Sequence, residues 1–149
     1  MKLDNRVHKK NIILNLQAST RDEVIKLLSE RLLENGFIRD SDQFIGDVNE
    51  RESQMSTGIG RGLAIPHGKS ESVLESTVVF AKTNNHIEWG SLDKEPVNII
   101  FLLAIAKQDE NDEHLRLLAD ISGKLMEDDF VNAIRNADSV EEIKKLLTV

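Results

Sequence analysis

Pro66-His67-Gly68 sets an imidazole between a residue with a fixed backbone angle and one with almost none of its freedom restricted. That setting aims the ring outward and lets a second molecule come close to the main chain. An imidazole titrates near pH 6.5, so an uncharged ring nitrogen is available as a nucleophile at neutral pH without special tuning. The three residues alone equally fit a turn with an incidental histidine. Upstream, glycines at 58, 60 and 62 and again at 68 suit tight turns or the close approach of a ligand to backbone amides.

Several other chemistries fail on spacing. Gly68-Lys69-Ser70 ends like a nucleotide-binding P-loop, but that motif requires glycine at 63, where this chain has Leu63. The dinucleotide fingerprint started at Gly58 fails at the same residue. His67, His86 and His114 are too irregularly spaced to demand a metal, and no cysteine exists to supply a thiolate ligand or nucleophile. No metal and no cofactor is expected.

The wider segment from Arg51 to His67 narrows the choice. Arg51-Glu52, Ser56-Thr57-Gly58, Gly60, Gly62 and Ala64-Ile65-Pro66-His67 together resemble the signature of phosphotransferase-system enzyme IIA domains of the fructose and mannitol class, which includes a nitrogen-regulatory branch. The likeness continues through Glu88-Trp89-Gly90, Pro96-Val97 and Glu113-His114-Leu115, and covers roughly residues 12–147. Lys94 departs from the pattern, standing where many fructose-class members carry glycine.

The resemblance implies a relay. A small carrier, HPr, gives a phosphoryl group to a IIA histidine, and a cysteine on the IIB component of a sugar permease takes it. Carried onto this chain, His67 is the acceptor, through Nε2, His114 is the second active-site histidine, and Arg51 stabilises the phosphate. Glu52, Ser56, Thr57, Gly58, Gly60, Arg61 and Lys69 lie near the phosphate or the partner. The chemistry agrees, because phosphoryl transfer asks for in-line positioning and for donors to the equatorial oxygens. Fructose-class transport is the expected role, on the 88–97 segment; a regulatory role or a binding module of the same fold is the alternative. A shallow depression rimmed by Ile59, Leu63 and Ile65 is expected around an outward-facing His67 for protein docking.

Composition sets bounds on all of this. The 149 residues fit one domain, 1–149, and 40% apolar residues suffice for a packed core. A net charge of -7 argues against nucleic acid as partner. With no long apolar run near the N-terminus and none elsewhere of membrane-spanning length, a cytoplasmic protein without membrane insertion is expected.

The elements that must position these residues are legible from periodicity. Apolar runs at 12–16, 77–81 and 97–105 predict strands, the last nearly continuous, as for a central strand covered on both faces. Leu63 to Ile65 predicts a very short strand that leaves His67 at its edge. Thr20 with Glu23 predicts a capping box opening a helix that stops near Gly36. A second helix is expected from Ser41 to about Glu50, a third lined by Leu115, Leu118, Ile121, Ser122 and Leu125, a short one over 128–137, and a last one capped by Ser139. The fold class is therefore α/β, a mixed β-sheet flanked by helices on both faces.

Overall fold

The computed structural model describes residues 5–109 and 112–148, apart from the side chains of 112 and 113. Lys107–Asp109 forms a 3-10 turn; Glu110, Asn111 and the Glu113 side chain lie outside the described residues. The strands are β1 (Val7–Leu16), β2 (Gly58–Gly60), β3 (Leu63–Ala64), β4 (His67–Ser70), β5 (Thr77–Ile87) and β6 (Val97–Ala106). The helices are α1 (Arg21–Glu34), α2 (Ser41–Gln54), α3 (Asp112–Leu125), α4 (Asp128–Asn136) and α5 (Val140–Leu147).

The strands form one mixed sheet in the order β1-β5-β6-β3-β2, with β4 also paired to β6. β5 and β6 are antiparallel, whereas β1 runs parallel to β5, and both β3 and β4 run parallel to β6. β6 shows why the sheet needs helices on both sides. Its Ile100, Leu102, Ala104 and Ala106 join the core under α1 and α2, while Ile99, Phe101, Leu103 and Ile105 join the core under α3, α4 and α5. Alternate side chains of a strand point to opposite faces, so an unbroken apolar run means that both faces are covered.

Caps set the helix limits. The Thr20 side chain accepts the Glu23 amide, while the Glu23 carboxylate accepts the Ser19 amide at 2.6 Å, one residue earlier than a standard capping box. Gly36, at φ +81, closes α1: its own amide reaches Leu33 and that of Phe37 reaches Leu32, a pairing that absorbs orphan carbonyls.

Tertiary pairing lengthens several elements beyond their apolar signal. β1 starts at Val7, across the polar stretch His8-Lys9-Lys10-Asn11, because β5 supplies ladder partners from Val78 onward. β5 continues to Ile87, whose partner on β6 is Val97. α2 runs to Gln54, so Arg51 and Glu52 lie inside its last turn and do not follow it. On α3 the buried stripe uses Leu117, Ile121 and Leu125; Leu115, expected inside, is 63% exposed. No helix among the described residues is long and apolar enough to cross a membrane.

Candidate active site

β4 carries the acceptor candidate. His67 is its first residue and sits in register with Leu103 of β6, so its side chain leaves the sheet on the face that α3 covers. The next residue, Gly68, faces α2. A Cβ there would lie 2.7 Å from Val48 Cγ2 and 3.3 Å from Phe44 Cε1. Glycine at 68 thus lets α2 lie directly on β4, and Arg51, one turn beyond Val48, reaches the imidazole from that helix.

Both ring nitrogens of His67 are engaged. Nδ1 is 3.0 Å from the Ile65 carbonyl, an acceptor only, so Nδ1 carries the proton and donates. Nε2 accepts from Arg51 Nε at 3.1 Å, which requires its lone pair. The two bonds select one tautomer, with the nucleophilic lone pair on Nε2. Burial pushes the His67 pKa below the ordinary value; the Ile65 carbonyl raises it, the Arg51 charge lowers it, Glu52 raises it and Lys69 lowers it. The ring is neutral at pH 7.

His114, in the first turn of α3, brings its ring centroid to 5.3 Å from that of His67, tilted by 56°. It is buried, and its Nε2 has no hydrogen-bond partner. Burial, then the charges of His67, Lys69 and Arg51, depress its pKa to about 4. His67, His114 and Arg51 are therefore assembled from β4, α3 and α2, three separate parts of the chain.

The remaining candidates divide. Lys69 is exposed on β4, and its charge acts on both histidines. Thr57 is not a free donor: its amide bonds Glu52 Oε2 at 3.2 Å, its hydroxyl bonds Glu52 Oε1, and it accepts Trp89 Nε1 at 3.4 Å. Ser56 Oγ donates to the Trp89 carbonyl and accepts the Gly58 amide. At Gly58 a Cβ would collide with the Ser91 side chain. Gly60 and Gly62 adopt φ of +95 and +78, with Arg61 between them at +57, a turn that side chains other than glycine resist.

Three expectations need correcting. Arg61 turns to the α3–α4 junction, where it bonds the Leu125 carbonyl and pairs with Asp128 at 3.4 Å; Arg135 in turn bonds the Arg61 carbonyl. The apolar rim also differs. Leu63 and Ile65 are core residues at 0% and 4% exposure, because β3 lies against the central strand, and only Ile59 of the three faces solvent. His67 itself is 8% exposed and so is covered, with Arg51 over its reactive nitrogen, where an outward-facing ring was expected. Residue spacing carries no record of what an arginine sixteen positions away will cover.

His86 lies exposed near the end of β5. Among the described residues no group of three or more His, Asp or Glu side chains is placed to hold a metal ion.

A family model for the phosphoenolpyruvate-dependent sugar phosphotransferase system, EIIA 2, matches residues 6–149. The chain is 35% identical over 128 residues to the PTS system fructose-like EIIA component of Escherichia coli (strain K12), covering 86% of each. It is 32% identical over 148 residues to the 2-O-alpha-mannosyl-D-glycerate-specific EIIABC component of the same organism, of which it spans 22%. Among solved structures, the nitrogen regulatory protein IIA-Ntr from Neisseria meningitidis superposes with a TM-score of 0.88 at 25% identity, over 97% of this chain and 98% of that one.

Proposed function

We propose that this chain, which belongs to the EIIA 2 family of the phosphoenolpyruvate-dependent sugar phosphotransferase system, accepts a phosphoryl group on Nε2 of His67 from a partner protein. Phosphotransfer is the general role of the family. The observation that carries the finer reading is the pair of bonds to the His67 ring, which leaves Nε2 as the one nitrogen with a lone pair and puts a guanidinium beside it.

In the transfer, the Nε2 lone pair attacks the phosphorus of a phosphohistidine on the donor, an HPr-type carrier. The donor's N–P bond breaks as the new N–P bond forms, and its electron pair returns to the donor imidazole. The Nδ1 proton stays on its bond to Ile65, so the positive charge developing on the His67 ring is stabilised by a carbonyl dipole. Arg51 must slide from the nitrogen to a phosphate oxygen; its Nη1 bond to the Met55 carbonyl, 2.9 Å, keeps the guanidinium at the site while it does so. His114, kept neutral, has an unpaired Nε2 within reach of the same region. In the transport reading, a cysteine thiolate of a IIB component then attacks the same phosphorus: the S–P bond forms as the Nε2–P bond breaks, and its electron pair returns to the His67 imidazole.

For the destination of the phosphate, the backbone likeness to the Neisseria regulatory protein supports a regulatory IIA role over the fructose-class transport expected from the 88–97 segment. The transport reading keeps one specific support, the 35% identity to a fructose-like EIIA component over 86% of both chains.

The test is label transfer from radioactive phosphoenolpyruvate through enzyme I and HPr. Wild type is expected to take up acid-labile label and His67→Ala none; label retained by His67→Ala removes His67 as acceptor. Adding a fructose-type IIB domain separates the two destinations. Label that stays on this chain supports the regulatory role, and label passed to the IIB cysteine supports transport.

A further inference from the structure

Glu52 is placed where a carboxylate is disfavoured twice. Its side chain is 1% exposed, and it sits in the last turn of α2, at the negative end of the helix dipole. The structure compensates it with the Thr57 amide and hydroxyl, and with Arg21 at 3.9 Å. A neutral or apolar side chain would fill the space more cheaply, so the acid calls for an explanation in what it holds.

What it holds is the segment 55–57, and that segment reaches both nitrogens of His67. The Met55 carbonyl accepts Arg51 Nη1 at 2.9 Å, and Arg51 Nε donates to His67 Nε2. The Thr57 carbonyl accepts the Ile65 amide at 3.0 Å, and the Ile65 carbonyl accepts His67 Nδ1–H. Trp89, the chain's one tryptophan, closes the arrangement from the far side through its bond to the Thr57 hydroxyl.

We propose that Glu52 is a positioning residue: by clamping Thr57 it sets the carbonyls of Met55 and Thr57, and through them the contacts at both ring nitrogens of His67. The inference rests on the reading of His67 as acceptor for its consequence in transfer, but the clamp itself is tested without phosphate. The charged groups around the ring are Arg51, Lys69 and Glu52, with His114 beside it and Arg21 behind Glu52.

The experiment records 15N–1H spectra of the histidine ring nitrogens for wild type, Glu52→Gln, Thr57→Val and Thr57→Ser, each beside its labelling rate. Wild type should show one tautomer at His67, protonated on Nδ1. Glu52→Gln and Thr57→Val should give shifts averaged toward both tautomers and a transfer rate lower by about 10- to 100-fold. Thr57→Ser, which keeps the hydroxyl, should restore both readouts. Far-ultraviolet circular dichroism and a cooperative thermal unfolding transition report whether each variant folds. If Glu52→Gln does not fold, the Thr57 pair decides the matter. Folded Glu52→Gln or Thr57→Val protein with wild-type His67 shifts and rate overturns the proposal. Shifts that move while wild type accepts no label would uphold the clamp and remove the phosphocarrier reading instead.

Discussion

The start of β4 and the start of α3 each hold a histidine, the two rings lying 5.3 Å apart, and they treat it differently. On β4 both nitrogens of His67 are bonded, so one tautomer is selected and the ring is aimed. On α3 the Nε2 of His114 has no partner, and the ring sits in the first turn, where helix amides disfavour a positive charge. A nucleophile needs a fixed lone pair. A residue that interacts only once charge arrives at the site is better left unsatisfied and neutral until then.

The sharpest way to break this comparison is to exchange the fates of the two rings. His67→Ala should abolish acid-labile phosphate, whereas a site in which the histidines were equivalent would keep part of it on His114. Arg51→Ala removes the donor at Nε2 and should slow label uptake by about 10²–10³-fold, the usual cost of losing one fixed donor to developing charge; a rate within twofold of wild type would remove Arg51 from the site.

Gly68→Ala tests how β4 earns its precision. The added methyl meets Val48 and Phe44, so α2 must lift from the strand, at a cost of about 1–3 kcal/mol in denaturant unfolding and with slowed transfer as Arg51 is carried away from His67. An unchanged unfolding midpoint would mean that the packing relaxes freely.

His114→Ala should leave acceptance by His67 in place and slow transfer of the phosphoryl group off His67 by roughly 100-fold, the low end of the range for one assisting side chain. Equal losses in both directions would make His114 part of the acceptor's own support.

The smallest effect is on stability against pH. The folded-state pKa of His114 is about 4, below its unfolded value near 6.5, so between these values the unfolded chain binds the extra proton. Its contribution is fully present above pH 6.5 and is lost as pH falls toward 4, about 1–2 kcal/mol once solvent screening is counted. His67 shifts in the same direction. Thermal unfolding from pH 7 to 4 should fall less steeply in His114→Ala than in wild type; parallel curves would show that the α3 histidine titrates normally.

Much of the molecule is legible before folding. The nearly continuous apolar run over 97–105 foretells a strand covered on both faces, Thr20 and Ser139 mark helix starts, and Pro66-His67-Gly68 with its upstream glycines marks the candidate acceptor. Even the odd residue carries information: Lys94, standing where many fructose-class members have glycine, adopts φ +64, the left-handed region that glycine occupies without cost. These signals are local, encoded within a few residues by period, capping chemistry or backbone freedom.

What the sequence could not decide is every relation between distant segments. The polar start of β1 and the tail of β5 become strand only because a neighbour offers ladder bonds. Arg61 and Lys69 are both cations close to His67 in the chain, yet Arg61 is drawn to the carbonyl end of α3 and Lys69 stays with the histidines. Thr57 and Glu52 read alike as polar residues beside a phosphate site, and burial turns them toward each other. The residue types and their local order determine which groups are available for phosphoryl chemistry. Only the packing of α2 on β4 and of α3 against the sheet decides which lone pair is exposed to it, because hydrogen-bond partners and desolvation are set by neighbours in space.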